Sequence, residues 1–526
     1  MSSPPTRADS LGRLPLRSFL GYAAGDAANN LAFSMASMFL LLYFTNVVGL
    51  GAAAIGTMFL LVRFWDAIAD LVVGRLVDAK KPGRLGKFRP FIVWFALPLL
   101  LSNLAIFGAD TFFPGMDETH ALVYAYVTYA LMGTFYSFVN IPYGSMAPAM
   151  TQVPTERARL ASFRVYGANL VILALSFVVA PQIKRFASDP AGLQRSLFLT
   201  VGAFVVIGAV LYAVTVLTVK ERVHRDVAAP NLRESLRTLR ANRPLIWLCL
   251  GSLAFLTGLT VLGTLAAYYA TYVLGDAQYI AWNSLAQVAG TFLVAALIPW
   301  IVRRIGKRNG YILLGGVGLV AGAVLAFGPP SVPAFSLLGF FLAGIGTGGV
   351  NTLMWALEAD TVEYGEWRTG VRTEGTTYAL FSFTRKMGQA LGGAAGAYAL
   401  GLVAFNSQWA SSGQAQTQAT IDGIQLWTGL LVAAFVLLAM LIMAFYPLTD
   451  AVFTTIVAEI ADRRAAATEA DVAAELAEIV ADGELRSTDA VAPLGGLGRV
   501  AEADVLVPGA STLSRQAGVT SGPPAR

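Results

Sequence analysis

The segment LVRFWDAIADLVVGRLVD, residues 61–78, places Arg63, Asp66 and Asp70 inside an otherwise apolar, helix-like run. Asp66 and Asp70 are four residues apart, so on a helix they share one face, one turn above the other. Two carboxylates at that spacing repel when both are ionised; one then keeps a proton, or the pair recruits a cation. A guanidinium beside them limits the net charge and can exchange partners as the site fills. The chemistry this suggests is ion binding. The plainer alternative is a structural Arg63–Asp66 pair that holds the helix against its neighbours.

Other polar groups stand in similarly apolar surroundings. Asp26 is followed three and four residues on by Asn29 and Asn30, which makes a polar stripe if the segment is helical. Asn140 lies within SFVNIPYGS, and Arg164 stands near the start of another apolar run. Tyr378, Ser382, Lys386 and Gln389 share a helical face, with Arg385 adjacent. Of these two cations, Lys386 is the expected functional one and Arg385 an interfacial charge whose stem lies along apolar surface. The two histidines, His120 and His224, fall at or outside the ends of apolar runs, so a histidine-built metal site is not supported. The single cysteine, Cys249, excludes an intramolecular disulfide. No nucleophilic triad, phosphate loop or metal constellation stands out, so no enzyme is expected.

The elements that must position these groups follow from composition. The chain has 526 residues, 56% of them apolar and 13% charged, with a mean hydropathy of +0.62. A soluble chain carries about 25% charged residues. The composition therefore describes a polytopic, all-α membrane protein. Apolar runs near 20 residues give twelve spans: 19–46, 51–77, 90–109, 120–148, 160–183, 196–218, 244–273, 278–302, 310–328, 333–355, 374–404 and 423–446. The polar start MSSPPTRADSLGRLPLRSF has no apolar run before a cleavage site, so the first span is expected to stay as a transmembrane helix. An aspartate at the centre of such a helix costs about 2.5–3.5 kcal/mol, so the charges above must face the protein interior.

Alternate connections are basic. Residues 78–90 carry five Lys/Arg, 220–243 seven and 303–309 four, whereas 46–51 has none and 109–120 only acids. Both termini are thereby expected in the cytoplasm, with the protein in the cell (inner) membrane. Residues 184–195, with three basic residues on the opposite side, are the exception. The net charge of +5 sits in these short connections, so topology accounts for it and no nucleic-acid partner is expected. The long basic connection divides the chain into a six-span bundle (1–218), a linker (219–243) and a second bundle (244–447). A tail over 448–526 is expected to be partly helical and then disordered. The basic connection after the second span of each half is a weak sign of parallel duplication, as in twelve-helix carriers.

The stretches YAAGDAANNLAFSMASMFLLLYFTNVVGL, RFWDAIAD, GRLGKFRPF, YSFVNIPYGSMAPAMTQ and MWALEADTVEYGEWRTGVRTEGTTYALFSFTRKMGQALGG resemble the glycoside–pentoside–hexuronide:cation symporter family of the major facilitator superfamily, over about 20–447. Residues 354–393 and GDAANNLAF resemble its glucuronide-carrying branch more than its melibiose branch. The resemblance implies the major facilitator fold, with two six-helix bundles and a substrate site at the midplane. It implies that Asp66 and Asp70, assisted by Ser137 and with Arg63 beside them, bind a coupling H⁺ or Na⁺, and no other cofactor. Two positions that are aspartates in the melibiose branch are Asn30 and Asn140 here. The loss of a carboxylate at 140 leaves fewer anionic oxygens for Na⁺, and the two changes together suit an anionic sugar. Arg164 and Lys386 match basic pocket residues that could pair with a sugar carboxylate. Asp26 and Gln389 complete the implied sugar site, and Trp65, Tyr143 and Trp355 are candidates to stack on a sugar face.

The resemblance also implies a cytoplasmic gate. The polar stretch EADTVEYGEWRTGVRTEG, expected as a loop, carries Glu358, Asp360, Glu363, Arg368 and Arg372. These would pair across the halves with the connection that holds Asp78, Arg84 and Lys87. The expected function is cation-coupled import of glycosides, glucuronides foremost, by a chain that works as a monomer. Neutral glycosides or pentosides are the alternative, and a non-transporting membrane sensor is the rival of another class.

Overall fold

The computed structural model describes residues 14–151, 153–221, 242–370 and 374–463. The described chain is helical apart from short connections and one isolated bridge between Gly83 and Gly86. The first six long helices are α1 (Leu16–Asn46), α2 (Ala52–Ala79), α3 (Arg89–Ile106), α4 (Glu118–Met150), α5 (Pro154–Arg185) and α6 (Pro190–Thr218). Helix α7 (Arg243–Tyr268) runs into a π turn, Tyr269–Val273. Tyr279–Phe327 forms 49 residues of near-continuous helix, about 74 Å at 1.5 Å per residue. A bilayer core is about 30 Å thick, so this is too long for one span. It breaks at Gly306, whose φ of 81° and ψ of 171° are open only to glycine. The two arms are α8 (279–305) and α9 (307–327). Helices α10 (Pro333–Thr369), α11 (Glu374–Leu402) and α12 (Gln418–Ala444) complete the set, and 450–463 forms a further helix, α13.

Ten of these helices are long and apolar enough to cross a membrane when Tyr279–Phe327 counts once. With its arms taken separately, and with α11, the described residues contain twelve long helices at the places where the sequence shows apolar runs. Local chemistry starts and stops them. Proline stands in the first turn of α3, α5, α6, α7 and α10, where its missing N–H is no loss. Side chains of Asp189, Asn242 and Thr417 accept from the first turns of α6, α7 and α12. Helix α10 extends past the expected end at 355 and takes in residues 356–369, expected as loop. Polarity does not end a helix; Gly370, at φ 72°, does.

Helices α1–α6 pack mainly on one another: α1 on α5 and α6, α3 on α4 and α6, and α2 on α4. Among α7–α12, α8 and α9 pack on α10 and α12, and α7 packs on α11 and α12. The two groups meet through α2 with α11, α5 with α8, and α1 with α7. Residues up to Ile460 form one compact unit, so the expected boundary at 219–243 separates helix groups within it. Residues 461–526 form a second unit, of which only 461–463 are described. The expected tail and linker lie almost wholly outside the described residues.

Helix α2 resolves how its charges are tolerated. Leu61, Phe64, Ile68 and Val72 recur at helical spacing and are exposed, whereas Val62, Asp66, Ala69, Val73 and Val77 are buried. One apolar face can meet lipid while the carboxylates turn inward.

Candidate functional site

Helix α2 turns Asp66 toward α4, where Gly133 leaves room for it. A Cβ at Gly133 would fall 2.0 Å from Asp66 Oδ1. Arg63 Nη1 donates to Asp66 Oδ2 at 3.1 Å and Nη2 to the Tyr129 hydroxyl at 3.3 Å. Asp66 Oδ1 is buried and accepts no hydrogen bond. One turn on, Asp70 is fully engaged. Ser137 Oγ donates to Oδ1 at 2.6 Å, and Lys386, reaching from α11, forms an ion pair with Oδ2. The expected cluster Arg63, Asp66, Asp70 and Ser137 is therefore brought together. Lys386, expected on the sugar, joins that cluster because its long stem reaches across the two helix groups to an anionic partner.

A cavity of about 290 Å³ opens beside this cluster between α1, α2, α4, α5, α10 and α11. Its wall includes Asp26, Asn30, Asn140, Arg164 and Gln389 from the expected sugar site, together with Arg63, Asp66, Ser137 and Lys386. Arg164 Nε donates to Asp26 Oδ1 at 2.9 Å, and Asn30 Nδ2 donates to Asp26 Oδ2 at 3.2 Å. The Arg164 guanidinium lies 5.3 Å from the centre of the Tyr143 ring.

Tyr143 itself does not line the cavity. Its ring is fully buried and stacks on Tyr22 at 4.7 Å, with its hydroxyl donating to the Tyr22 carbonyl. Gly25 admits the ring, since a Cβ there would stand 2.5 Å from Tyr143 Cε2. The expected sugar-stacking residue thus supports Arg164 from behind. Trp65 is also displaced from that role: it points away from the Asp66 face, is exposed, and donates to Thr134 Oγ1 at 2.9 Å. Trp355 does reach the cavity, beside Tyr378 at a ring separation of 5.9 Å.

Arg385 is the residue that sequence reasoning misplaced. It lines the cavity, donates from Nη1 to Asn351 Oδ1 at 3.0 Å, and lies over the Trp355 ring at 4.8 Å. Adjacent helical residues differ by about 100° in direction, and here both reach the cavity wall, Lys386 paired with Asp70 and Arg385 on neutral supports. Arg63, Arg164 and Lys386 each face one aspartate. Among the described residues, Arg385 is the cavity cation with neutral partners only. The signal available in the sequence was the adjacency of two cations at the end of a polar helical face.

The expected gate residues are arranged otherwise. Asp360 accepts from Lys307 Nζ on its own helix group at 2.6 and 2.7 Å, so it is not paired with the 78–90 connection in this conformation. That connection is held instead by Glu221, which accepts from the backbone N–H of Lys87 at 2.7 Å, Phe88 at 2.9 Å and Arg89 at 3.2 Å. Arg84 and Arg368 are exposed; Glu358 is buried and Glu363 half-buried. The Asp78 side chain and Arg372 lie outside the described residues.

Contacts between the helix groups gather on the side opposite the basic connections. Thr45 Oγ1 and the Tyr268 hydroxyl are 2.6 Å apart, Asn46 Nδ2 donates to the Tyr272 hydroxyl at 2.6 Å, and Thr57 Oγ1 meets the Tyr398 hydroxyl at 2.9 Å. Lys184, from the connection that breaks the charge rule, pairs with Asp276 at 2.7 Å. Partial burial pushes the Asp276 carboxyl up, but hydrogen bonds from Lys184 and the Gln278 backbone outweigh it and hold it below the usual carboxylate range.

A bundle of twelve long helices around a charged central cavity, closed at one end, defines a multi-pass membrane transporter. The family model described as MFS/sugar transport protein matches residues 21–450. The chain is 44% identical over 457 residues to the "Glucuronide carrier protein homolog" of Escherichia coli (strain K12), covering 86% of this chain and 97% of that one. It is 35% identical over 476 residues to the "Putative 2,3-dihydroxypropane-1-sulfonate exporter" of the same organism, covering 88% and 99%. A crystal structure of a bacterial homologue of the iron transporter ferroportin, in an inward-facing state, matches with a TM-score of 0.58 at 16% identity, covering 82% of this chain and 98% of that one. At that identity the likeness concerns the fold. The chain belongs to the MFS/sugar transport family, in its glycoside–pentoside–hexuronide branch.

Proposed function

We propose that this protein is a proton-coupled symporter of anionic sugars, glucuronides in the first place, that works by alternating access in the inner membrane with both termini cytoplasmic. The observation that carries the substrate reading is Arg385. Three cavity cations have resident aspartates, and the fourth presents its guanidinium to the cavity from neutral supports. A sugar carboxylate would complete that balance with a charge-assisted hydrogen bond. Two relatives support an anion by their names, one a glucuronide carrier homolog and the other an exporter of a sulfonate.

The coupling site divides its labour. Asp70 has both oxygens engaged, Ser137 on one and Lys386 on the other. Asp66 has one buried oxygen without a donor, which is where a proton would sit. A sodium ion would instead need several oxygen ligands, as hard cations do. Asp70 is already occupied by an ammonium, and position 140 offers an amide where a third carboxylate would help. Protonation of Asp66 weakens its hold on Arg63 and changes the charge that faces the substrate. Because Lys386 and Asp70 lie on different helix groups, charge changes here bear on how the groups meet, and binding energy can shift the population of the two access states.

The test is uptake of a radiolabelled glucuronide into vesicles under an imposed pH gradient or an imposed Na⁺ gradient. The pH gradient is expected to drive accumulation, and Asp66→Asn to abolish it while facilitated exchange continues. Accumulation driven by Na⁺ alone, or gradient-driven accumulation that persists in Asp66→Asn, would overturn the coupling assignment.

A further inference from the structure

Behind Arg385 stands a support that is not part of the cavity wall. Asn351 is half-buried on α10 and does not line the cavity. Its Oδ1 accepts from Arg385 Nη1 at 3.0 Å. Trp355, four residues on, shares that face of α10 one turn away, and its ring lies 4.8 Å from the guanidinium. Phe381 is fully buried on α11, one turn before Arg385. It packs edge-on against the Trp355 ring at 5.3 Å, with its own ring centre 6.0 Å from the guanidinium. The guanidinium is thus held both by its face and at one corner. With Nη1 on Asn351, the edge that carries Nε and Nη2 has no hydrogen-bond partner among the described residues. That edge presents two parallel N–H groups, the arrangement that a planar carboxylate accepts as a bidentate pair.

Asparagine and aspartate have nearly the same shape and differ in charge. Arg63, Arg164 and Lys386 each meet a carboxylate. An aspartate at position 351 would give Arg385 a resident anion in the same way, whereas the amide accepts the hydrogen bond and leaves the charge uncompensated. We infer that Asn351 is a positioning residue that sets the preference for an anionic substrate: it orients Arg385 without neutralising it, so that a substrate carboxylate can take the Nε–Nη2 edge. This rests on the reading of Arg385 as the partner of a sugar carboxylate. Its own content is that the choice is made by a side chain off the cavity wall, which acts only through Arg385.

The test measures KM for uptake of methyl β-glucuronide and methyl β-glucoside in proteoliposomes that contain the full chain, and reads the ratio of the two as the glucuronide preference. Asn351→Asp supplies the resident anion and is expected to lower that preference about tenfold or more, at least as far as Arg385→Gln does. Asn351→Leu removes the acceptor without adding charge and is expected to lower it about two- to tenfold. In an Arg385→Gln background, Asn351→Leu is expected to change the preference no further. A role confined to holding α10 against α11 would weaken both sugars alike, and would do so whether or not Arg385 is present. A preference unchanged in both Asn351 variants, or an Asn351→Leu effect that persists in Arg385→Gln, would overturn the assignment of Asn351. A preference unchanged in Arg385→Gln itself would overturn the anionic-sugar reading beneath it.

Discussion

Replacing Arg385 with glutamine separates recognition of charge from recognition of the sugar. The guanidinium rests on the Trp355 face at 4.8 Å and donates to Asn351 at 3.0 Å, both neutral. A substrate carboxylate that arrives at Arg385 therefore displaces no resident anion, and most of the interaction is available to binding. A hydrogen bond to a charged group contributes about 1.5–3 kcal/mol, or roughly 10- to 150-fold in affinity. Arg385→Gln is expected to weaken glucuronide binding by that factor and to leave a neutral glucoside of the same aglycone within about twofold. Arg385→Lys, which keeps the charge but loses the planar fork, should fall between. The assay is KM for both sugars in proteoliposomes, with equilibrium binding to the purified carrier as the check. Arg164→Gln is the contrasting variant. It strips Asp26 of its cationic partner at 2.9 Å and should impair both sugars, because a buried carboxylate is left without a counter-charge, with only Asn30 donating to it. Equal losses for charged and neutral sugars in Arg385→Gln, or no loss for either, would refute the placement of the carboxylate at Arg385.

Two further outcomes follow from the closed end and from the break in the long helix. Asp276 is held below its ordinary range by Lys184, so the pair favours the closed end at neutral pH and loses that contribution as pH falls through the depressed value. In a chain carrying a cysteine introduced at that end, Lys184→Gln is expected to raise the labelling rate of that cysteine at neutral pH and to flatten its rise in acid; unchanged rates at every pH would count against a latch. Gly306→Ala is expected to lower the melting temperature of the purified protein. The replacement must adopt a conformation that costs about 1–3 kcal/mol for other residues, and its Cβ would stand 1.9 Å from Asp450 Oδ2. An unchanged melting temperature would mean that the break can be relaxed.

The amino-acid sequence by itself determined the class of protein and much of its plan. Apolar run lengths and the alternation of basic connections place the long helices, because lipid admits few alternatives to a satisfied helical backbone. The spacing of Asp66 and Asp70 was enough to put both on one inward face, because helical periodicity is local. The direction of neighbouring side chains was not local. Arg385 and Lys386 are adjacent, and only the position of Asp70 on the other helix group decides which of them pairs with the carboxylate and which faces the cavity from neutral supports. Tyr143 reads as an aromatic near a sugar site, yet the missing Cβ of Gly25 on another helix draws it into a stack behind Arg164. Lys184 reads as an exception to a charge rule until Asp276, 92 residues away, is found beside it. In each case the deciding partner is distant in the chain, and only tertiary packing brings it within reach.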